Sequence, residues 1–134
     1  MFHALFLLSN GTVYATGQNT DGWLGLGDLT DRTTPEALTS LGSDNIAISA
    51  GAWHSIFLKA NHSVWVAGRG RDYQLGVDTR TACGLHSGLR CHTPVPVLGS
   101  DTDRGNMPSL GFDNVQIFAG EDFSIILKEN GAVW

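Results

Sequence analysis

The fold is decided by one stretch of the chain, HSIFLKANHSVWVAG at residues 54–68. Two runs rich in β-branched and aromatic residues flank a short polar turn, a pattern typical of an antiparallel β-hairpin. The pattern occurs upstream as HALFLLSNGTVYATG at residues 3–17 and downstream as FSIILKENGAVW at residues 123–134. It recurs after 51 residues from His3 to His54 and after 69 residues from His54 to Phe123. The recurrence predicts a repeat protein built from hairpins.

Asparagine occupies a fixed place in each of the three turns, and glycine follows it in two of them. These residues are Asn10, Gly11, Asn61, Asn130 and Gly131. Asn-Gly between two apolar runs is a strong hairpin signal, because both residues tolerate a positive φ. His62 replaces the glycine in the middle copy. This substitution predicts a strained turn or a turn of another type.

A second block follows each of the first two hairpins and carries a Leu-Gly pair, Leu24-Gly25 and then Leu75-Gly76. The two pairs are again 51 residues apart. We interpret the block as a loop whose leucine enters the core. Its glycine is expected to take a backbone conformation that other residues avoid.

A third block precedes the second and third hairpins and carries small residues, with Gly51 and Gly120 at equivalent places. Small residues let neighbouring backbones approach closely, as in inner strands crowded around a central axis. Pro35 and Pro94 lie between these blocks. Proline lacks a backbone N–H, so both residues are expected in edge strands.

The order of these blocks resembles the repeat of the regulator of chromosome condensation family. The resemblance implies a β-propeller, in which repeats of about fifty residues form four-stranded blades and seven blades close the ring. The expected fold is all-β, a partial and open propeller with blades of short antiparallel strands and no substantial helix. The expected divisions are repeat 1 at residues 3–53, repeat 2 at 54–122 with insertions at 79–92 and 99–112, and the start of repeat 3 at 123–134.

Two and a half repeats are too few to close a propeller, so we expect the chain to be a fragment of a longer protein. The chain also departs from the family pattern. The slot of Arg32 is taken by Cys91 in the second copy, and Phe123 replaces the expected histidine in the third. These departures argue against assigning to this chain the binding partner of the founding member of the family.

Composition limits the partners of the chain. It has 134 residues, of which 42% are hydrophobic, and a net charge of −5. This acidic balance lacks the positive footprint of nucleic-acid binding, so we expect no direct contact with nucleic acid. No run of 18 apolar residues occurs, so no membrane insertion is predicted. The predicted partner is another protein, of unknown identity.

The two cysteines, Cys83 and Cys91, are too few for a disulfide framework. They could pair and close a small loop, but we favour free thiols and, with them, an intracellular location over a secreted one. His86 and His92 accompany them. The spacing matches no common zinc module, so a plain insertion loop is preferred to a metal site.

His3 and His54 share one repeated slot, which could suggest catalysis or metal binding. Recurrence from repeat to repeat favours instead a structural hydrogen bond within each blade, and the replacement by Phe123 points to packing. No catalytic, cofactor-binding or metal-ligating residue is predicted, and no cofactor.

The predicted function is a non-catalytic and regulatory scaffold for protein–protein interaction. Long loops on a rigid propeller commonly carry recognition. The candidate partner-binding residues therefore lie in the two insertions and are Arg80, His86, Arg90, Asp101, Asp103 and Arg104. The resemblance implies two alternatives. One is guanine-nucleotide exchange on a small GTPase, and the other is a recognition module within a larger fused enzyme.

Overall fold

The fold was analysed in a computed structural model, which describes residues 3–77, 79–84, 89–97 and 110–134. The described residues form nine strands, one 3-10 turn at Thr39–Leu41 and one helix of four residues. In chain order these are β1 His3–Leu7, β2 Val13–Gly17, β3 Arg32–Ala37, β4 Asn45–Ala50, β5 His54–Lys59, β6 Val64–Arg69, α1 Thr79–Ala82, β7 Arg90–Pro96, β8 Asn114–Ala119 and β9 Ser124–Lys128.

The strands form three antiparallel sheets, which we call the first, second and third blades. Their strand orders are β1-β2-β3, β4-β5-β6-β7 and β8-β9. An isolated bridge between Leu127 and Val133 starts another strand of the third blade. The prediction of an all-β partial propeller with no substantial helix is therefore confirmed. No helix among the described residues has the length and apolar character that a membrane span requires.

The blades do not coincide with the sequence repeats. In the second blade, β4 precedes the hairpin motif that begins at His54, β5 and β6 form the motif, and β7 follows it. The second and third blades therefore each take their first strand from the end of one repeat and their remaining described strands from the next. The repeat boundaries themselves stay a prediction.

The three hairpin turns share one geometry despite the substitution at His62. The residue after asparagine has a positive φ in every copy, at 80° for Gly11, 64° for His62 and 84° for Gly131. The asparagine side chain accepts a backbone N–H two residues further on, at 3.0, 3.0 and 2.9 Å respectively. Asparagine is therefore needed as an acceptor that closes the turn, and the left-handed conformation belongs to the next residue.

His62 gains a contact that glycine cannot make. Its Nδ1–H donates to the backbone oxygen of Asn114, at 2.8 Å, and the Asn114 side chain donates back to the His62 carbonyl, also at 2.8 Å. Asn45 donates in the same way to the Gly11 carbonyl, at 2.9 Å. The first two hairpins are thereby each joined to the first strand of the following blade.

Strand β5 of the second blade is buried on both faces, because a blade packs on each side of it. All six residues of β5 are buried. Phe57 packs in a cluster with first-blade residues such as Val13 and Leu24. Ile56 packs in a second cluster that reaches Ile126 of the third blade. Alternate side chains of one strand thus supply the cores of two blade junctions.

The glycines and prolines lie where close approach or an open edge requires them. A Cβ on Gly51 would collide with the backbone oxygen of Gly120, so the inner turns of neighbouring blades touch through their backbones.

Pro35 and Pro94 lie in β3 and β7, the outermost strands of the first and second blades. Within the part of the chain that the structure describes, neither strand has a further neighbour that would need the missing N–H.

A buried lysine joins the second blade to the segment that precedes it. Lys59 Nζ donates to the backbone oxygen of Leu41 and to Asp44, and it lies 5.2 Å from the ring centre of Trp65. This hydrogen bond holds the pKa of Asp44 below its usual value. The same four partners recur 69 residues later as Lys128, Leu110, Asp113 and Trp134. Sequence analysis missed this network, although Leu-Gly-x-Asp-Asn occurs at both residues 41–45 and 110–114.

Candidate protein-binding surface

The loops lie at two opposite ends of the blades, because antiparallel strands alternate in direction. One end, here called the long-loop end, carries residues 18–31, 51–53, 120–123 and, of the β6–β7 connection, the described residues 70–77, 79–84 and 89. The other, here called the hairpin end, carries the three Asn turns and the connections from β3 to β4 and from β7 to β8. A partner that approaches one end meets only the loops of that end.

The two insertions proposed for partner binding belong to different ends. Of the first insertion, residues 79–84 and 89 lie in the β6–β7 connection and residues 90–92 at the start of β7, at the long-loop end. Residues 99–112 join β7 to β8, and their described part, from Leu110, lies at the hairpin end. The described parts of the two insertions therefore lie at opposite ends of the blades.

Only two of the six candidates can be placed. Arg80 lies in α1, and Arg90 begins β7. The Nε atom of Arg90 lies 2.5 Å from Asp21 Oδ1 in a long loop of the first blade, so this arginine joins two blades. His86, Asp101, Asp103 and Arg104 lie outside the described residues, and their role stays a prediction.

The two cysteines are paired, which corrects the expectation of free thiols. Cys83 and Cys91 form a disulfide with a Cα–Cα distance of 5.0 Å, within the range that disulfides need. The local reason is α1, because the N–H of Cys83 bonds to Thr79 at 3.1 Å and brings the chain back toward β7. Disulfide sulfurs are not thiolates, so they cannot serve as zinc ligands.

The disulfide predicts a specific alkylation pattern for the full-length protein. When the protein is unfolded in the presence of iodoacetamide and without a reductant, Cys83 and Cys91 should stay unmodified, because neither has a free thiol. After treatment with a reductant, both should be alkylated. Peptide mass spectrometry distinguishes the two states, and alkylation of either cysteine in the unreduced sample would show that the bond is absent.

Each described blade junction contains the same chain of polar contacts. His3 Nε2 lies 2.9 Å from Ser55 Oγ, and that hydroxyl donates to the Trp23 backbone oxygen at 2.6 Å. Further along, His54 Nε2 lies 3.1 Å from Ser124 Oγ, which donates to the Gln74 backbone oxygen at 2.5 Å. The histidine therefore bonds to the next blade, whereas a bond within its own blade was expected.

The direction of these hydrogen bonds fixes which ring nitrogen of each histidine carries the proton. A carbonyl only accepts, so the single hydroxyl proton points to it and the histidine Nε2–H must donate to the serine. The Nδ1 atom of His54 is buried without a partner among the described residues. A serine whose proton is committed to a carbonyl, beside a buried neutral histidine, lacks the arrangement of a nucleophile and its base. The contact is structural.

Burial lowers the pKa of His3 and of His54 to about 4 in each case. For His54, the neighbouring His3 lowers the pKa further and Asp122 opposes the shift. Charging either ring would require a desolvated imidazolium inside a blade junction, which is the physical cause of both shifts.

These pKa values predict a loss of stability in mild acid. The unfolded chain takes up protons as the pH falls through 6.5, whereas the folded histidines resist protonation until about pH 4. The contribution of these neutral histidines to the free energy of unfolding is fully present above pH 6.5. It is lost as the pH falls from 6.5 to 4, and at pH 5 the loss is on the order of 1–2 kcal/mol per histidine. Urea unfolding at pH 7 and pH 5 measures the difference. His54→Gln keeps an N–H donor but does not titrate, so an unchanged pH dependence in this variant would contradict the assignment.

The first-blade loop at the long-loop end is held by side-chain bonds. Asn19 is buried, accepts the Leu24 N–H at 2.9 Å and donates to the Asp28 backbone oxygen at 2.9 Å. Arg32 Nη2 lies 2.7 Å from Asp28 Oδ2, and this guanidinium holds the pKa of Asp28 below its usual value. The loop therefore presents a fixed shape.

The two described junctions differ at the long-loop end. In the first junction, the indole rings of Trp23 and Trp53 pack edge to face with centres 5.4 Å apart, and Trp23 is buried. Gln74 stands at the equivalent of Trp23 in the second junction, and Asp122 at the equivalent of Trp53. Tyr73 and Phe123 lie beside these residues and are 61% and 50% exposed. Exposed aromatic residues on a rigid frame are a common feature of protein interfaces.

Comparison with known families agrees with this architecture. The model of the regulator of chromosome condensation (RCC1) repeat matches residues 10–58, and a second model of the same repeat matches residues 46–74. The regulator of chromosome condensation of Xenopus laevis is 31% identical over 92% of this chain. The human E3 ubiquitin-protein ligase HERC2 is 36% identical over 98% of the chain.

Solved structures show the same fold. Human WBSCR16 aligns with 98% of the chain at a TM-score of 0.77 and 22% identity, and Prp20p of Saccharomyces cerevisiae aligns with 96% at 0.72 and 24%. The chain spans 29% of each of these two structures. It covers 25% of the Xenopus relative and 4% of HERC2. The chain therefore spans a quarter or less of the curated relatives it is compared with.

Proposed function

Because the chain belongs to the regulator of chromosome condensation repeat family, we propose that it is a non-catalytic, regulatory scaffold that binds another protein through its long-loop end. The observation that carries this proposal is the pair of exposed aromatic residues, Tyr73 and Phe123, beside one blade junction. Aromatic side chains supply large contact areas and are enriched among residues that dominate binding energy.

Two further features support the proposal. The polar groups that resemble catalytic pairs, His3 with Ser55 and His54 with Ser124, are committed to contacts between blades. The loop around Asn19 is held in one shape, so little conformational entropy would be lost when a partner binds.

The test compares the two ends of the full-length protein. Partners are captured from lysate of its source cells by crosslinking and quantified by mass spectrometry. Phe123→Ser should reduce the recovery of specific partners, whereas Phe112→Ser, which changes an exposed aromatic at the hairpin end, should not. Equal recovery with both variants would contradict binding through the long-loop end.

A second candidate is guanine-nucleotide exchange on a small GTPase. It is favoured by the family resemblance and by the 31% identity to the Xenopus regulator of chromosome condensation over 92% of the chain. The full-length protein is added to candidate GTPases loaded with a fluorescent nucleotide. Faster release supports exchange, and an unchanged rate across the panel leaves the scaffold function.

A third candidate is a recognition module within a larger enzyme. The observation that favours it is the 36% identity to HERC2, a ligase of which the matched region is 4%. In that case, partners captured by the long-loop end would be substrates of the attached enzyme. Turnover or modification of the captured partners would distinguish this candidate from a passive scaffold.

A further inference from the structure

Two of the three Asn turns at the hairpin end carry the acceptor pattern for N-linked glycosylation, asparagine followed after one residue other than proline by serine or threonine. They are NGT at residues 10–12 and NHS at residues 61–63. The third turn, NGA at residues 130–132, has alanine in place of the hydroxyl residue. It still closes, because Asn130 accepts the Ala132 N–H at 2.9 Å, close to the 3.0 Å of the other two turns. The backbone of the turn therefore does not require the hydroxyl group.

Asn10 and Asn61 present the atom that would be modified. Both residues are exposed at the tips of their turns. Their side-chain oxygens accept the hydrogen bonds that close the turns, and among the described residues their Nδ2 atoms have no hydrogen-bond partner. Asn61 lies in the second blade, which has a blade packed on each side of it. Its exposure is therefore a property of a four-stranded blade between two neighbours.

The disulfide is a second, independent observation. Pairing of Cys83 with Cys91 favours an oxidising compartment over the intracellular location that free thiols would imply. Proteins that mature in such compartments are also those that receive N-linked oligosaccharides on surface loops. The disulfide belongs to the long-loop end and the acceptor patterns to the hairpin end, so the two features have no structural cause in common.

We propose that Asn10 and Asn61 are N-glycosylated. In this reaction Nδ2 forms a bond to the anomeric carbon of an oligosaccharide, and the bond from that carbon to the diphosphate of a lipid carrier breaks. The lipid diphosphate leaves with the bonding electrons, and a base of the transferase takes the proton from Nδ2. The product keeps its carbonyl oxygen, which can still accept the N–H that closes each turn.

The test uses the full-length protein isolated from its source cells. A peptide N-glycosidase in heavy-oxygen water converts each glycosylated asparagine to labelled aspartate, which peptide mass spectrometry locates. We expect the label at Asn10 and Asn61 but not at Asn130. Asn130 is followed by glycine, as Asn10 is, so it also measures any label that arises from spontaneous deamidation. A label at Asn10 or Asn61 that is no higher than at Asn130 would overturn the proposal for that residue.

Two variants separate the modification from the structural role of Ser63. Its hydroxyl donates to Asn61 Oδ1 at 2.7 Å and accepts the Trp65 indole N–H at 3.1 Å, so its removal changes contacts of the turn as well as the acceptor pattern. Ser63→Thr keeps a hydroxyl and should keep the label at Asn61, whereas Ser63→Ala, which copies the third turn, should abolish it. The label at Asn10 should persist in both variants, which shows that each has folded and reached the same compartment. A label at Asn61 that survives Ser63→Ala would identify another modification and overturn the proposal.

The proposal goes beyond the proposed function and does not depend on it. Oligosaccharides on Asn10 and Asn61 would cover the hairpin end and leave the long-loop end open to a partner. Partner capture by Ser63→Ala is therefore expected to equal that of the wild-type protein. Because the label and the captured partners are separate measurements, failure of one proposal is distinguishable from failure of the other.

Discussion

Replacing Phe57 with alanine is expected to lower the free energy of unfolding by about 3–5 kcal/mol. The ring is 0% exposed and lies in the cluster between the first and second blades, where Val13, Leu24 and Leu38 surround it. Both blades hold these neighbours in place, so the cavity left by the ring could collapse only in part. Urea unfolding of the full-length protein, followed by circular dichroism, measures the change.

The matched control is Leu29→Ala, which removes an apolar side chain that is 44% exposed in a loop of the first blade. It should change stability by no more than about 0.5 kcal/mol. A cost below about 1 kcal/mol for Phe57→Ala would contradict tight packing at this junction.

Replacing Gly68 with alanine is expected to cost about 2–5 kcal/mol, for two reasons that add. Its φ of 114° is unfavourable for any residue with a Cβ. The new Cβ would also lie 2.6 Å from the Trp53 backbone oxygen and 2.8 Å from the His54 Cα. Those atoms belong to the inner hairpin of the second blade and cannot move without separating β5 from β6.

Gly131→Ala isolates the backbone contribution. Gly131 has a φ of 84°, but a Cβ there would meet nothing within 4 Å. Its replacement should cost only about 1–2 kcal/mol. Both variants are measured by urea unfolding, and equal losses for the two would show that the close approach at Gly68 does not contribute.

The hairpins and loops could be predicted because their signals are local. Asn-Gly turns, Leu-Gly loops and alternating apolar residues each depend on a few consecutive positions, and the fold class follows from their recurrence. The contacts between blades could not be predicted in the same way. His3 meets Ser55 across 52 residues and His54 meets Ser124 across 70, and no spacing rule relates a side chain to its neighbour in another sheet.

The candidate site was harder to predict than the fold. Loop length alone selected both insertions, whereas the alternation of strand direction places their described parts at opposite ends. The pairing of Cys83 with Cys91 depends on the turn made by α1, for which four residues give no periodic signal. Gln74 and Asp122 could not be selected from the sequence, because each is an ordinary polar residue until it is compared with the tryptophan at the equivalent position in the preceding junction.

The offset between sequence repeats and blades has a consequence for how such a chain can lengthen. A duplicated segment of one repeat brings three strands of one blade and the first strand of the next, so the copy cannot form a closed unit beside its parent. Its strands have to pair and pack with both flanking segments. It also carries a histidine that needs a serine in the copy after it. Growth by duplication therefore preserves the contacts between neighbouring blades, while a substitution at one blade junction leaves a mismatched side chain in the adjacent segment.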